Sequence, residues 1–162
     1  MGINRGKQFE NKLREQFEKV PDTLCLRLYD VTTGHKNQNN PCDLIVFRKN
    51  TLTLIECKAI HGNTLNFKSH IQENQWEKLL KYSFLPGVNA GIIVWFIDLD
   101  KTYFVPIWDL NYAKTVLNKK SFNAKLDNYF SSNGCYEIYG EKKRVFFEYN
   151  LKSFLDEVEY GY

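Results

Sequence analysis

Apolar residues recur along the chain with two periods, and the switches between them mark out the elements. Phe9, Leu13, Phe17 and Val20 follow one another at steps of four, four and three, the stripe of an amphipathic helix over residues 5–20. Pro21-Asp22 ends it. Over residues 23–30 the period drops to two, with Leu24, Leu26 and Leu28 on one face and Cys25, Arg27 and Tyr29 on the other, which predicts a strand. Residues 43–48 and 51–59 read as two further strands joined by a turn at Lys49-Asn50. Leu52, Leu54 and Ile55 predict burial of the second on both faces. Residues 69–84 read as a helix stopped by Pro86-Gly87. The strongly apolar residues 90–97 predict a central strand, and residues 102–105 return beside it. Residues 107–117 read as helical, and residues 134–139 and 144–149 as a late strand pair. Asn150 is placed to cap a last helix through residue 158, with Leu151, Phe154, Leu155 and Val158 inward. Helices interleaved with a short mixed sheet indicate an α/β domain.

Length and composition narrow the class. A chain of 162 residues is the size of one domain, and residues 1–162 are expected to form one, with a polar loop at 31–40. No apolar run approaches the ~20 residues a bilayer needs, and the opening residues lack an apolar leader, so a cytoplasmic protein without a membrane partner is expected. Cys25, Cys42, Cys57 and Cys135 form no C-x-x-C pair and stand at no ligand spacing from His35, His61 or His70, so reduced thiols are expected rather than disulfides or zinc. Charge is uneven. Residues 1–60 carry ten Lys/Arg against seven Asp/Glu, whereas residues 121–162 carry five against seven. A basic leading part suits a polyanionic partner, although ordinary surface scatter explains the same imbalance.

The chemistry concentrates in Pro41-Cys42-Asp43-Leu44-Ile45 and Leu54-Ile55-Glu56-Cys57-Lys58. Alternation along a strand puts Glu56 and Lys58 on one face. A hairpin turning at Lys49-Asn50 places Asp43 beside Glu56, so two carboxylates and an ammonium share a small volume within an otherwise apolar strand. Charges there are expensive unless they are paired or metal-bound. Two close carboxylates favour a divalent cation, and hard oxygen ligands suit Mg²⁺, with Mn²⁺ as a substitute. Such a cation polarises a phosphoryl oxygen and acidifies water, while the neighbouring ammonium neutralises charge on the transition state. The backbone carbonyl of Cys57 is a further candidate ligand, and its side chain points to the opposite face as core. The competing reading is an ordinary Glu–Lys pair on a surface hairpin.

These residues resemble the PD-(D/E)xK nuclease superfamily, as Pro41-Cys42-Asp43 and Glu56-Cys57-Lys58, with one residue inserted between Pro and Asp. Arg5-Gly6-Lys7-Gln8-Phe9-Glu10 is similar to the opening helix of RecU-type Holliday junction resolvases. Gln72 through Leu80 looks like their Gln-bearing helix, and Tyr103-Phe104-Val105-Pro106 like the end of their following strand. The resemblance spans roughly residues 4–110. It implies a central mixed sheet flanked by helices in the restriction-endonuclease-like manner. It also implies a Mg²⁺-dependent endonuclease resolving four-way junctions in recombination or repair, acting as a homodimer. The implied catalytic set is Glu10, Asp43, Glu56 and Lys58 with Gln75 as accessory, and the implied metal ligands are Asp43, Glu56, Glu10 and the Cys57 carbonyl. Read from the residues alone, Glu10 is either at the sheet edge or a solvated helix carboxylate, and Gln75 either faces the site or is a satisfied core amide.

Candidate DNA contacts are Arg5, Lys7, Arg14, Lys68, Lys81 and, at the tip of the polar loop, His35 and Lys36. Each also reads as an ordinary surface charge. RecU-type enzymes carry a long stalk ahead of the catalytic Asp, whereas residues 31–40 here are short and polar, so junction preference is less secure than nuclease chemistry. The alternatives are a nuclease of the same superfamily acting on ordinary duplex or flapped DNA, and a non-catalytic DNA-binding module of the same fold.

Overall fold

The structure, a computed structural model, describes residues 4–29, 40–125 and 135–160. Helix α1 (Arg5–Glu18) is capped by Asn4, whose side chain accepts from the Lys7 N–H at 3.1 Å, and it buries Phe9, Leu13 and Phe17. Strands β1 (Leu24–Arg27), β2 (Leu44–Arg48) and β3 (Thr51–Ile60) form an antiparallel meander. Lys49 and Asn50 both take positive φ (48° and 62°), the conformation a two-residue hairpin turn requires and one that Asn tolerates. Strand β4 (Thr64–Asn66), the single turn α2 (Phe67–His70) and helix α3 (Glu73–Ser83) then lead across to β5 (Val88–Phe96), which pairs parallel to β3. After a 3₁₀ turn, β6 (Lys101–Pro106) returns antiparallel, and α4 (Ile107–Thr115) follows. Short strands β7 (Ser121–Asn123), β8 (Tyr136–Glu137), β9 (Gly140–Lys142) and β10 (Phe147–Tyr149) precede α5 (Leu151–Tyr160).

The main sheet has six strands in the order β1-β2-β3-β5-β6-β8, mixed as expected, with helices packed on both faces of its central strands. Alternation along β5 divides the core. Ile93 and Trp95 join Phe9, Leu13 and Phe17 of α1 and Leu151, Phe154 and Val158 of α5 on one face. Ile92, Val94 and Phe96 join Trp76 and Leu79 of α3 and Leu110 of α4 on the other. Strand β3, buried from Thr53 to Cys57, lies at the centre as its composition predicts. No helix among the described residues is long and apolar enough to cross a membrane.

Three expectations are corrected. β1 covers only Leu24–Arg27 rather than residues 23–30, while its alternation holds, with Leu24 and Leu26 exposed and Cys25 and Arg27 facing inward. β1 is an edge strand covered only by α1, and Arg27 is drawn under that helix by carboxylate and amide partners. The helix expected over residues 69–84 is broken: Ile71 adopts an extended conformation (φ −123°, ψ 120°) and buries its side chain, so α3 starts at Glu73. The late segments do not pair with each other. Tyr136–Glu137 adds to β6, and Phe147–Tyr149 pairs instead with Gly140–Lys142. The β4–β7 pair was not legible, because three-residue strands carry too few alternations to register. Residues 30–39, with His35 and Lys36, lie outside the described residues, so the stalk expectation is not placed.

Helix α5 is fastened to the hairpin by a buried charge cluster. Arg48 donates to Asp156 Oδ1 at 2.9 Å and to Glu159 Oε1 at 3.2 Å, and the Glu159 side chain is only 5% exposed. Arg48→Ala removes the better-buried cation and leaves Glu159 with Lys49 at 3.6 Å. A loss of about 3 kcal/mol is expected, since breaking one side of a buried pair strands the other charge. The denaturant midpoint checks it, and an unchanged midpoint would show that Lys49 alone holds the helix.

Candidate active site

The hairpin register builds the site. Leu44 stands opposite Ile55, and the Asp43 N–H donates to the Ile55 carbonyl at 3.0 Å, so Asp43 lies opposite Glu56 where β2 begins. Before that point β2 no longer covers β3, and the Cys57 N–H, left without a strand partner, donates to Asp43 Oδ2 at 2.8 Å. Main-chain groups of one strand residue point the same way, so the Cys57 carbonyl also faces this uncovered edge. Lys58 Nζ lies 2.8 Å from Glu56 Oε1, and Gln75 Nε2 donates to Glu56 Oε2 at 3.3 Å. Glu56 is buried, whereas the Lys58 side chain keeps 23% of its surface. The break at Ile71 matters here, because it places Gln75 in the first turn of α3, over the sheet face that carries Glu56.

Electrostatics mark the same spot. Burial, then the adjacent Glu56 charge, pushes the Asp43 carboxyl up from 3.8 to about 7, against the pull of the Cys57 N–H and Lys58. Glu56 is raised too, by burial first, with Lys58 opposing and Glu10 adding to the rise. Two carboxyls within hydrogen-bonding reach of each other and short of water resist carrying both charges. The Gln75 Oε1 atom is buried and has no hydrogen-bond partner. These groups form an oxygen-rich concentration of acceptors of the kind that could hold a divalent cation.

Among the expected catalytic residues, the structure gathers Asp43, Glu56, Lys58 and Gln75. Glu10 comes from α1, the helix covering the opposite face. Its charge bears on Glu56, but Arg27 holds its Oε2 through Nε at 3.2 Å and Nη2 at 3.0 Å. Arg27, which also donates to Asn11 at 2.6 Å and stacks on Tyr29, is the site-building residue the sequence reading missed. Its signal was an arginine in alternation with Cys25 on one strand face. His70 was missed as well: it lies close enough to Lys58 to be pulled below its usual range, by burial first, and its Nδ1 accepts from the Asn66 N–H at 2.8 Å. Among the described residues no cluster of three or more His, Cys, Asp or Glu side chains forms a ready metal cage. The available set is instead two carboxylates, the Cys57 carbonyl and the Gln75 amide oxygen. That suits Mg²⁺, which keeps several waters and takes one or two carboxylates.

Of the expected DNA contacts, Arg5 lies 5.5 Å over the Phe146 ring, and Arg14 pairs with Glu18 at 3.1 Å. Lys7 is at the α1 N-terminus, Lys68 on α2 and Lys81 in the last turn of α3. Arg5, Lys7 and Arg14 thus share α1, while Lys68 and Lys81 lie on two other helices.

A strand-borne Asp paired across a hairpin with Glu-x-Lys, on a mixed sheet between helices, defines a nuclease domain of the PD-(D/E)xK kind. The chain belongs to the nuclease-related domain (NERD) family, whose profile matches residues 5–93, more than half of its length. That span holds Glu10, Asp43, Glu56, Lys58 and Gln75. Among solved structures, the chain is similar to Hjc, a Holliday junction resolvase of Archaeoglobus fulgidus, at 20% identity and a TM-score of 0.48, covering 64% of this chain and 78% of that one. No curated protein matches. The family match supports the nuclease class and does not reach the RecU type.

Proposed function

We propose that the protein is a divalent-cation-dependent DNA endonuclease and that four-way junctions are its preferred substrate. The observation that carries the nuclease reading is the register that brings the Asp43 carboxylate onto the Cys57 N–H beside Glu56 and Lys58. Asp43, Glu56 and the Cys57 carbonyl would hold Mg²⁺ or Mn²⁺, which when bound polarises a phosphodiester and acidifies water. Glu56 anchors Lys58 so that its ammonium faces the opening, where it neutralises charge gathering on the phosphoryl oxygens. Gln75 holds the second oxygen of Glu56 and presents an unsatisfied acceptor to a water in the site. Arg27 keeps Glu10 at the rim, where its negative charge adds to the pull on a cation.

The junction preference rests on the resemblance of the opening helix and the Gln-bearing helix to junction resolvases. A symmetric cut requires two sites related by a two-fold axis, which a homodimer supplies. The exposed sheet face formed by Leu24, Leu26 and Phe47, with Leu24 paired directly to Phe47, supports that assembly. One experiment tests the reading: a labelled four-way junction and a matched linear duplex, each incubated with Mg²⁺, Ca²⁺ or EDTA. Cutting with Mg²⁺, binding without turnover in Ca²⁺, and preference for the junction by a species that sediments as a dimer are expected. Robust cleavage in EDTA would remove the metal from the mechanism. A monomer cutting both substrates equally would leave a nuclease of ordinary duplex.

A further inference from the structure

A second feature of the surface is unused by the catalytic site. Between α1 and the β9–β10 hairpin runs an open groove of about 650 Å³. Its walls carry Lys12 and Lys19 from α1, Lys143 and Arg144 from the hairpin turn, and Lys152 from α5, against Glu15 and Glu148. All five cations are exposed. The floor is apolar, with Val20, Phe146 and Phe147.

The groove is preformed. The Gln16 side chain bridges its two walls by donating to the Phe147 carbonyl at 2.9 Å and accepting from the Tyr149 N–H at 2.7 Å. Phe146 is fixed from below by Trp95, at a ring separation of 5.6 Å. Carboxylates compete for some of the cations, but weakly. Lys12 lies 3.8 Å from Glu15 with both side chains about half exposed, and Lys143 and Lys152 have exposed or half-exposed partners too. Such pairs contribute little and exchange readily. Lys19 and Arg144 hold no ion pair among the described residues.

The cations on α1 have a direction. Arg5, Lys12 and Lys19 recur at seven-residue steps, so they share one flank of the helix and its C-terminal end. At about 1.5 Å rise per residue, successive members are about 10 Å apart, the length of about three base-pair steps of about 3.4 Å measured along a duplex axis. The stripe starts at Arg5, over Phe146 and one turn ahead of Glu10, and runs away from the catalytic end.

We infer that this groove is a phosphate-binding track that holds the backbone of a duplex arm leading away from the catalytic carboxylates. The inference rests on the nuclease reading for its ligand. Nucleic acid fits better than an acidic peptide, because the cations follow a regular rise along a helix that also delivers Glu10 to the site. None of the groove residues belongs to the catalytic set.

The test is the combined variant Lys12→Ala, Lys19→Ala, Arg144→Ala, with duplex binding followed by fluorescence anisotropy in Ca²⁺ across a KCl series. The salt slope should fall by about 0.9 for each lost phosphate contact, about 2.7 if all three touch the backbone. Kd should weaken by roughly tenfold or more near physiological salt, the range expected when a few phosphate contacts are removed. The thermal midpoint and the cleavage rate at saturating substrate should stay unchanged. If the unaltered protein binds and cuts while the variant keeps the same slope and Kd, the track is refuted and the nuclease reading stands. If the unaltered protein neither binds nor cuts DNA, the nuclease reading falls and the track with it. Preferential capture of poly-glutamate over duplex at equal salt would also overturn the assignment.

Discussion

Lys58→Ala is expected to slow cleavage of bound substrate by about a hundredfold or more, a loss of at least ~2.7 kcal/mol of transition-state stabilisation. The ammonium is 2.8 Å from Glu56 Oε1, and the Lys58 side chain keeps 23% of its surface while Glu56 is buried. Its charge matters most when negative charge gathers on the phosphoryl group, so the loss should appear in the single-turnover rate at saturating protein. Binding should change little, because one ammonium is a small share of the phosphate contacts. The substitution also takes from Glu56 the cation that opposes the rise of its carboxyl, so the residual activity should shift to higher pH. Binding and cleavage falling in parallel would make Lys58 a docking residue.

Asp43→Asn should abolish cleavage and yet make the metal-free protein more stable. The Asp43 carboxyl is pushed up from 3.8 to about 7 by burial and by Glu56. The unfolded chain therefore gives up this proton near pH 4, as free Asp does, while the folded protein keeps it until about pH 7. Between those values the folded state binds more protons, so the metal-free fold loses stability as pH rises, and above pH 7 the whole penalty is present. Asn carries no such penalty. The thermal midpoint of the variant, compared with the parent in EDTA, should be close at pH 4 and increasingly higher towards pH 8. Mg²⁺ should close that gap by stabilising the parent alone. A variant less stable than the parent at pH 8 would show that the bond to the Cys57 N–H outweighs the buried charge.

The two predictions concern the same conflict. A buried pair of carboxyls opposes folding in the absence of a cation, and the surrounding fold has to hold it in place. Strand β3 contributes Leu54, Ile55 and Cys57 to two cores, one on each side, so Glu56 cannot turn away to water. The Asp43 carboxyl is held by a main-chain donor that the end of β2 leaves free.

Much of this was determined by the sequence alone. The helix of α1, the turn at Lys49-Asn50, the central β5 and the cap at Asn150 all follow from local periodicity and local backbone preference, which need only near neighbours. Asp43, Glu56 and Lys58 were legible for the same reason: a tight hairpin converts thirteen residues of separation into cross-strand contact, and strand alternation does the rest. Tertiary structure decided what depends on elements distant in the chain. Alternation along β1 defined two faces but not which is inward: the Arg27 face turned inward because α1 offered it Glu10 and Asn11, whereas nothing among the described residues covers the opposite face of β1 enough to bury Leu24 and Leu26. Gln75 reached Glu56 because Ile71 left the helical path to fill the core, a packing choice that periodicity cannot show. The basic groove arose where Gln16 met the main chain of Phe147 and Tyr149, more than 130 residues away. Local order is set by the backbone of adjacent residues, but the partner of a buried charge and the walls of a groove are fixed only when the sheet and its helices close around them.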